Sequence, residues 1–126
     1  MDWLGWFVPR FGRRTLPPES LAPPAAEDLL VLDELRAEGS KLQLPHPVRA
    51  FVSFDAEADA RSAMEMLDRE GYRSYLRAGA EGRWTVTAIQ SMIPTPGAVT
   101  KMRENLTALA ATLGGEYLGW QAPPVY

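Results

Sequence analysis

The sequence predicts an α+β fold, and three observations carry that prediction. Runs with period-two alternation mark four strands, and stripes of period 3.6 mark two helices among them, in the order β-α-β-β-α-β. The middle two strands are close enough in sequence to form a hairpin, whereas each outer pair encloses a helix. Right-handed crossovers then place both helices on one face of a four-stranded antiparallel sheet. That arrangement is the ferredoxin-like sandwich, here with one further helix on its N-terminal side.

The extra helix is expected over Ala25–Glu38, where Leu29, Leu32 and Leu35 recur at helical spacing. Glu27 and Asp28 suit its first turn, and Gly39 supplies a stop. Lys41–Pro47 reads as a connector, and His46, flanked by Pro45 and Pro47, as a solvated loop residue within it. Val48–Phe54 alternates as the first strand, with Val48, Ala50, Val52 and Phe54 on one side and Arg49, Phe51 and Ser53 on the other. Asp55 stands where an N-cap would, opening a helix to Glu70 whose apolar stripe is Ala56, Ala60, Met64 and Leu67.

Tyr72–Arg77 and Arg83–Met92 are the hairpin strands, joined through Gly79 and Gly82. Ala98–Leu113 forms the second helix of the sandwich, with Val99, Met102, Leu106, Leu109 and Leu113 along one side. Gly114 and Gly115 break it, and Glu116–Gln121 closes the sheet. Within that last strand Gly119 permits a bulge, and Trp120 is a large apolar anchor.

A chain of 126 residues, 46% hydrophobic, has room for one core rather than two. Proline divides it: five of the eleven prolines lie in the first 24 residues and none between Val48 and Ile93. Residues 1–24 therefore read as an aromatic, proline-rich arm, 25–46 as the acidic helix and connector, 47–121 as the sandwich and 122–126 as a tail. Met1–Arg14 carries Trp3, Trp6, Phe7 and Phe11 with Arg10, Arg13 and Arg14 behind them, the reverse of a secretory leader's charge order.

No cysteine is present, and His46 is the one histidine, so thiolate chemistry and multi-histidine metal sites are not expected. The carboxylates show no pairing that implies a matched acid and base. No catalytic residue, cofactor or metal site is predicted, and the chain reads as a cytoplasmic binding protein rather than an enzyme.

Charge is the remaining functional signal, because the net −3 is unevenly spread. Glu27–Glu38 holds five acids against one base, and Asp55–Glu70 holds six against two, so each helix carries −4. Such surfaces attract a basic partner and speed its encounter. On the other side, Arg49, Phe51 and Tyr75 could share an open sheet face, with Arg73, Arg77 and Arg83 nearby. That combination makes a module for single-stranded nucleic acid, or for another partner, the second reading. The acidic balance counts against direct nucleic-acid binding, and membrane binding is not expected either. A homodimer through the open face is compatible with the pattern.

The string Leu109-Ala110-Ala111-Thr112-Leu113-Gly114-Gly115-Glu116-Tyr117-Leu118-Gly119-Trp120 resembles the end of the bacterial regulator of ribonuclease E activity B family. There a helix ending in Leu-Ala leads into Gly-x-Glu-Tyr-Asp-Gly-Trp. Val52-Ser53-Phe54-Asp55, Glu70-Gly71-Tyr72 and Trp84-Thr85-Val86 are similar to further parts of the family pattern. The resemblance implies a ferredoxin-like, non-enzymatic inhibitor that binds ribonuclease E, on a basic region of its scaffold, and restrains RNA processing. The candidate partner-binding residues are Asp55, Glu57, Asp59, Glu65 and Asp68 on the acidic helix, and Glu116, Tyr117 and Trp120 in the closing motif.

Overall fold

The computed structural model describes residues 19–126, so most of the expected arm lies outside the described residues. The elements are α1 (Ala26–Ala37), β1 (His46–Phe54), α2 (Glu57–Arg69), β2 (Arg73–Ala78), β3 (Trp84–Met92), α3 (Pro96–Thr112) and β4 (Glu116–Gln121). The strands form one sheet in the order β2-β3-β1-β4, with every neighbouring pair antiparallel. This is the ferredoxin-like order, and it follows from two right-handed β-α-β crossings joined by a hairpin.

Alternation in β1 decides which face is covered. Val48, Ala50, Val52 and Phe54 are buried beneath the helices, together with Val86 and Ala88 of β3 and Trp120 of β4. α2 packs over β2 and β3, while α3 lies over β1 and β4 and α1 beside it at the β4 edge. The helices contribute Leu32 and Leu35; Ala60, Ala63 and Leu67; and Val99, Met102, Leu106 and Leu109.

Three local expectations are corrected. The buried stripe of α1 is Asp28, Leu32 and Leu35, and Leu29 is 39% exposed. Spacings of four and then three track the helical period more closely than two threes, so Leu29 drifts off the core side. Asp55 does not cap α2: the residue in that position is Ala56, which has no side-chain cap and is exposed. Asp55 instead accepts a 2.7 Å hydrogen bond from Arg83 at the start of β3, an ion pair that ties the α2 entry to the hairpin.

His46 is the third correction, being fully buried as the first residue of β1. The inward alternation of even positions runs two residues further than expected, and the flanking prolines sit on the outward side of the strand. Its Nε2 lies 2.6 Å from Ser40 Oγ and its Nδ1 2.7 Å from the Leu44 carbonyl oxygen. Ser40 Oγ also accepts the Val125 N–H at 2.8 Å, so the natural assignment has the hydroxyl donating to Nε2 and Nδ1–H donating to Leu44. The ring therefore ties the connector and the C-terminal segment to the end of the sheet.

Candidate functional site

The closing motif acquires its geometry from a bulge. Pairing of β1 with β4 shifts register between Phe51 and Val52, where Leu118 and Gly119 are accommodated, and Gly119 takes φ +130°. In a regular strand, residues three apart face opposite sides of a sheet. The extra residue lets both Tyr117 and Trp120 face the helices, opposite Val52 and Ala50, while Leu118 is 54% exposed. The spacing Tyr-x-Gly-Trp thus has a structural reason: two inward aromatic rings, with the bulge and its glycine between them.

Beneath α1, Trp120 meets a charge that sequence reasoning missed. Asp28 is 2% exposed, accepting the Trp120 indole N–H at 3.1 Å through Oδ1 and Arg103 Nε at 2.9 Å through Oδ2. A carboxylate in this position is held by a charged hydrogen bond on one side and a neutral one on the other. α1, α3 and β4 are thereby locked together through three side chains. The signal was the Asp28-Leu32-Leu35 spacing, but the partners lie 75 and 92 residues away in sequence.

Above Trp120, α1 and β4 leave a groove of about 290 Å³ whose walls include Val31, Leu35, Trp120 and Ala122, with Glu34 and Glu38 at its rim. Both glutamates are exposed and neither has a basic partner among the described residues. Trp120 and Leu35 are nearly covered and Gln121 also lines the groove, so what it offers a lysine or arginine is the pair of carboxylates at the rim.

The five candidate acids on or beside α2 divide. Asp55 is paired with Arg83, and Glu57 with Arg61 at 2.8 Å, an i,i+4 pair on the exposed face. Asp59 is half-buried, whereas Glu65 and Asp68 are exposed; none of these three has a basic partner among the described residues. Glu65 and Asp68 line a cleft of about 670 Å³ between α2 and β2, where Arg69 and Arg73 also stand. The β4 residues are at the far side of the sheet from α2, so the eight candidates do not form one patch. Glu116, opposite Ser53, is exposed on the face away from the helices.

Two tyrosine hydroxyls are perturbed. Burial, helped by the Glu70 carboxylate, pushes Tyr72 up to about 12. Burial first and the Asp28 carboxylate second push Tyr117 well above the usual tyrosine range. Its hydroxyl is buried with no hydrogen-bond partner among the described residues. Both groups stay protonated in the folded chain where the unfolded chain ionises, so above about pH 10 the unfolded chain holds fewer protons. Stability should then fall as pH rises from about 10 towards 12, by up to ~1.4 kcal/mol per pH unit for Tyr72. Urea midpoints at pH 8, 9.5 and 11 check this, and Tyr72→Phe should flatten the decline; an unchanged slope in that variant contradicts it.

Among the described residues, no cluster of His, Asp or Glu has metal-binding geometry, and no helix is long and apolar enough to cross a membrane. No curated protein matches this chain in sequence. Residues 25–122 match the family model described as regulator of ribonuclease activity B, a span running from the start of α1 to just past β4. With most of its length inside that match, and with the Glu-Tyr-x-Gly-Trp bulge and the α1 helix both included, the chain belongs to the regulator of ribonuclease activity B family.

Proposed function

We propose that the chain is a non-enzymatic, cytoplasmic inhibitor of ribonuclease E, acting by binding a basic segment of the ribonuclease on its helix side. One observation carries this reading. Most of the acids without an ion pair among the described residues gather on the helix side: Glu27 and Glu34 on α1 with Glu38 at its end, Asp59, Glu65 and Asp68 on α2 with Glu70 at its end, and Glu104 on α3, against Glu81 and Glu116 elsewhere. A basic segment crossing α3 could meet those of α1 and of α2. In this reading Glu34 and Glu38 at the α1–β4 groove hold one cationic side chain, and the α2 acids steer the approach. Asp55 and Glu57 contribute field rather than direct contact, because Arg83 and Arg61 already occupy them. Tyr117 acts by holding the bulge and α1 in place, and Glu116, on the opposite face, stands outside the contact.

The test is RNA cleavage by purified ribonuclease E that retains its basic scaffold region, with increasing amounts of this chain. Cleavage should slow in proportion to occupancy, and the paired change Glu34→Lys with Glu38→Lys should lose at least ten-fold in potency. Both side chains are exposed, so the variant should keep its fold. Equal potency of variant and parent would contradict the groove, and unaltered cleavage by the parent would contradict the function.

A further inference from the structure

The face of the sheet away from the helices has a composition opposite to the rest of the molecule. Register places Arg49, Ile89 and Arg73 in one row across β1, β3 and β2; Phe51, Thr87 and Tyr75 in the next; and Ser53, Thr85 and Arg77 in the third. Arg49, Arg73 and Arg77 are exposed, and none has a carboxylate partner among the described residues. Of the acids near this face, Asp55 is paired with Arg83, which also donates to Ser53 Oγ, and Glu116 is on β4, three strands from Arg77, too far to neutralise it at about 4.8 Å per strand. Tyr75 is 55% exposed, and Phe51 half-buried. Opposite Phe51 stands Gly119, where an added methyl group would meet nothing within 4 Å, so the ring's flank is open.

We propose that this face binds single-stranded RNA, a second activity independent of the ribonuclease reading. Phe51 and Tyr75, two strands apart, offer rings on which two bases of one extended strand can stack. Arg49, Arg73 and Arg77 border those rings above and below, where the phosphates of such a strand would run. Thr87, between the rings, offers a hydroxyl to a base edge.

The net charge of −3 does not describe this face, because most of the acids belong to the helix side; those near it are Glu116 on β4, Asp55, already paired with Arg83, and Glu65 and Asp68, which share a cleft with Arg73 at the β2 edge. An acidic peptide would satisfy the arginines but leave the two exposed rings without a planar complement. A second copy offering its acidic helices would join head to tail, an open arrangement that does not close into a defined oligomer.

The test uses the full chain, alone, and a fluorescein-labelled ten-nucleotide polyuridine RNA followed by anisotropy. Binding is expected at 50 mM salt, weakening roughly 20-fold at 200 mM, the dependence for about three neutralised phosphates on a single strand. Tyr75→Ala should weaken it about ten-fold and Tyr75→Phe should not, whereas Arg77→Ala should weaken it and make the salt dependence shallower. Both positions are exposed, so these variants should fold like the parent, which circular dichroism checks.

No binding at 50 mM salt overturns the proposal, and so does binding that Tyr75→Ala leaves unaltered. Displacement of the RNA by an equal concentration of polyglutamate would also overturn it, in favour of an acidic protein partner. The Glu34→Lys/Glu38→Lys variant should keep its RNA affinity while losing ribonuclease inhibition, so the two readings can fail separately.

Discussion

Replacing Asp28 by alanine should cost about 3 kcal/mol and lower the melting temperature by roughly 10 °C. The change takes away the acceptor shared by the Arg103 guanidinium and the Trp120 indole. Trp120 is 6% exposed, so its N–H would be left in the interior without a partner, at about 1–3 kcal/mol. Arg103, with 29% of its side chain exposed, can turn towards water, which keeps the total below the ~5 kcal/mol upper end for breaking a fully buried pair. Asp28→Asn should fall between parent and alanine, because an amide oxygen still accepts from Trp120 while the charge on Arg103 loses its partner. Thermal unfolding by circular dichroism reads all three. A shift of less than about 3 °C in the alanine variant would mean that packing of Leu32 and Leu35 alone holds α1. Because α1 forms one wall of the groove, Asp28→Ala should also weaken ribonuclease binding although the side chain itself is buried.

Gly115→Ala is expected to be as costly, about 3 kcal/mol, and for a reason unrelated to glycine's backbone freedom. A methyl group at that position would run into the Phe54 ring and lie 2.6 Å from the Ser53 carbonyl oxygen. Phe54 is fully buried and Ser53 belongs to β1, so neither has room to yield. Its neighbour Gly114 has φ +69°, the left-handed conformation that ends α3, yet an added methyl there meets nothing within 4 Å. Gly115 N–H reaches back to Ala110 O at 2.8 Å and Gly114 N–H to Ala111 O at 3.3 Å, the paired bonds of a Schellman ending. Gly114→Ala should therefore cost only the conformational strain, about 1 kcal/mol. Denaturant midpoints of the two variants should fall in that order; the reverse would mean that β1 gives way at Phe54.

These two residues also mark where sequence reasoning reaches and where it stops. The alternation of β1, the stripe of α3 and the two glycines after it are local patterns, and each led to the right element within a residue or two. The bulge was legible as well, since Gly119 in a short strand invited one, although its consequence for Tyr117 and Trp120 needed the register. Asp28 and His46 were read by their surroundings, an acidic helix and a proline-flanked connector, and both proved buried. A polar residue is buried when its partners are in place, and here Arg103, Trp120 and Val125 come from distant segments. Asp55 looked like a cap for the same reason: only the fold brings Arg83 beside it. The candidate acids on α2 were found by counting charge, but which of them remain free depends on pairs that the count does not contain.

Inhibition as proposed needs a basic segment of a ribonuclease to meet carboxylates on the helix side of the sheet. The most direct measurement is a calorimetric titration of purified ribonuclease E scaffold region with this chain, at 50 mM and at 300 mM salt. Binding should be present at the lower concentration, weaken at least ten-fold at the higher, and fall by at least ten-fold again in the Glu34→Lys/Glu38→Lys variant. Affinity that neither salt nor the reversed charges alters, or the absence of binding at 50 mM salt, would contradict it.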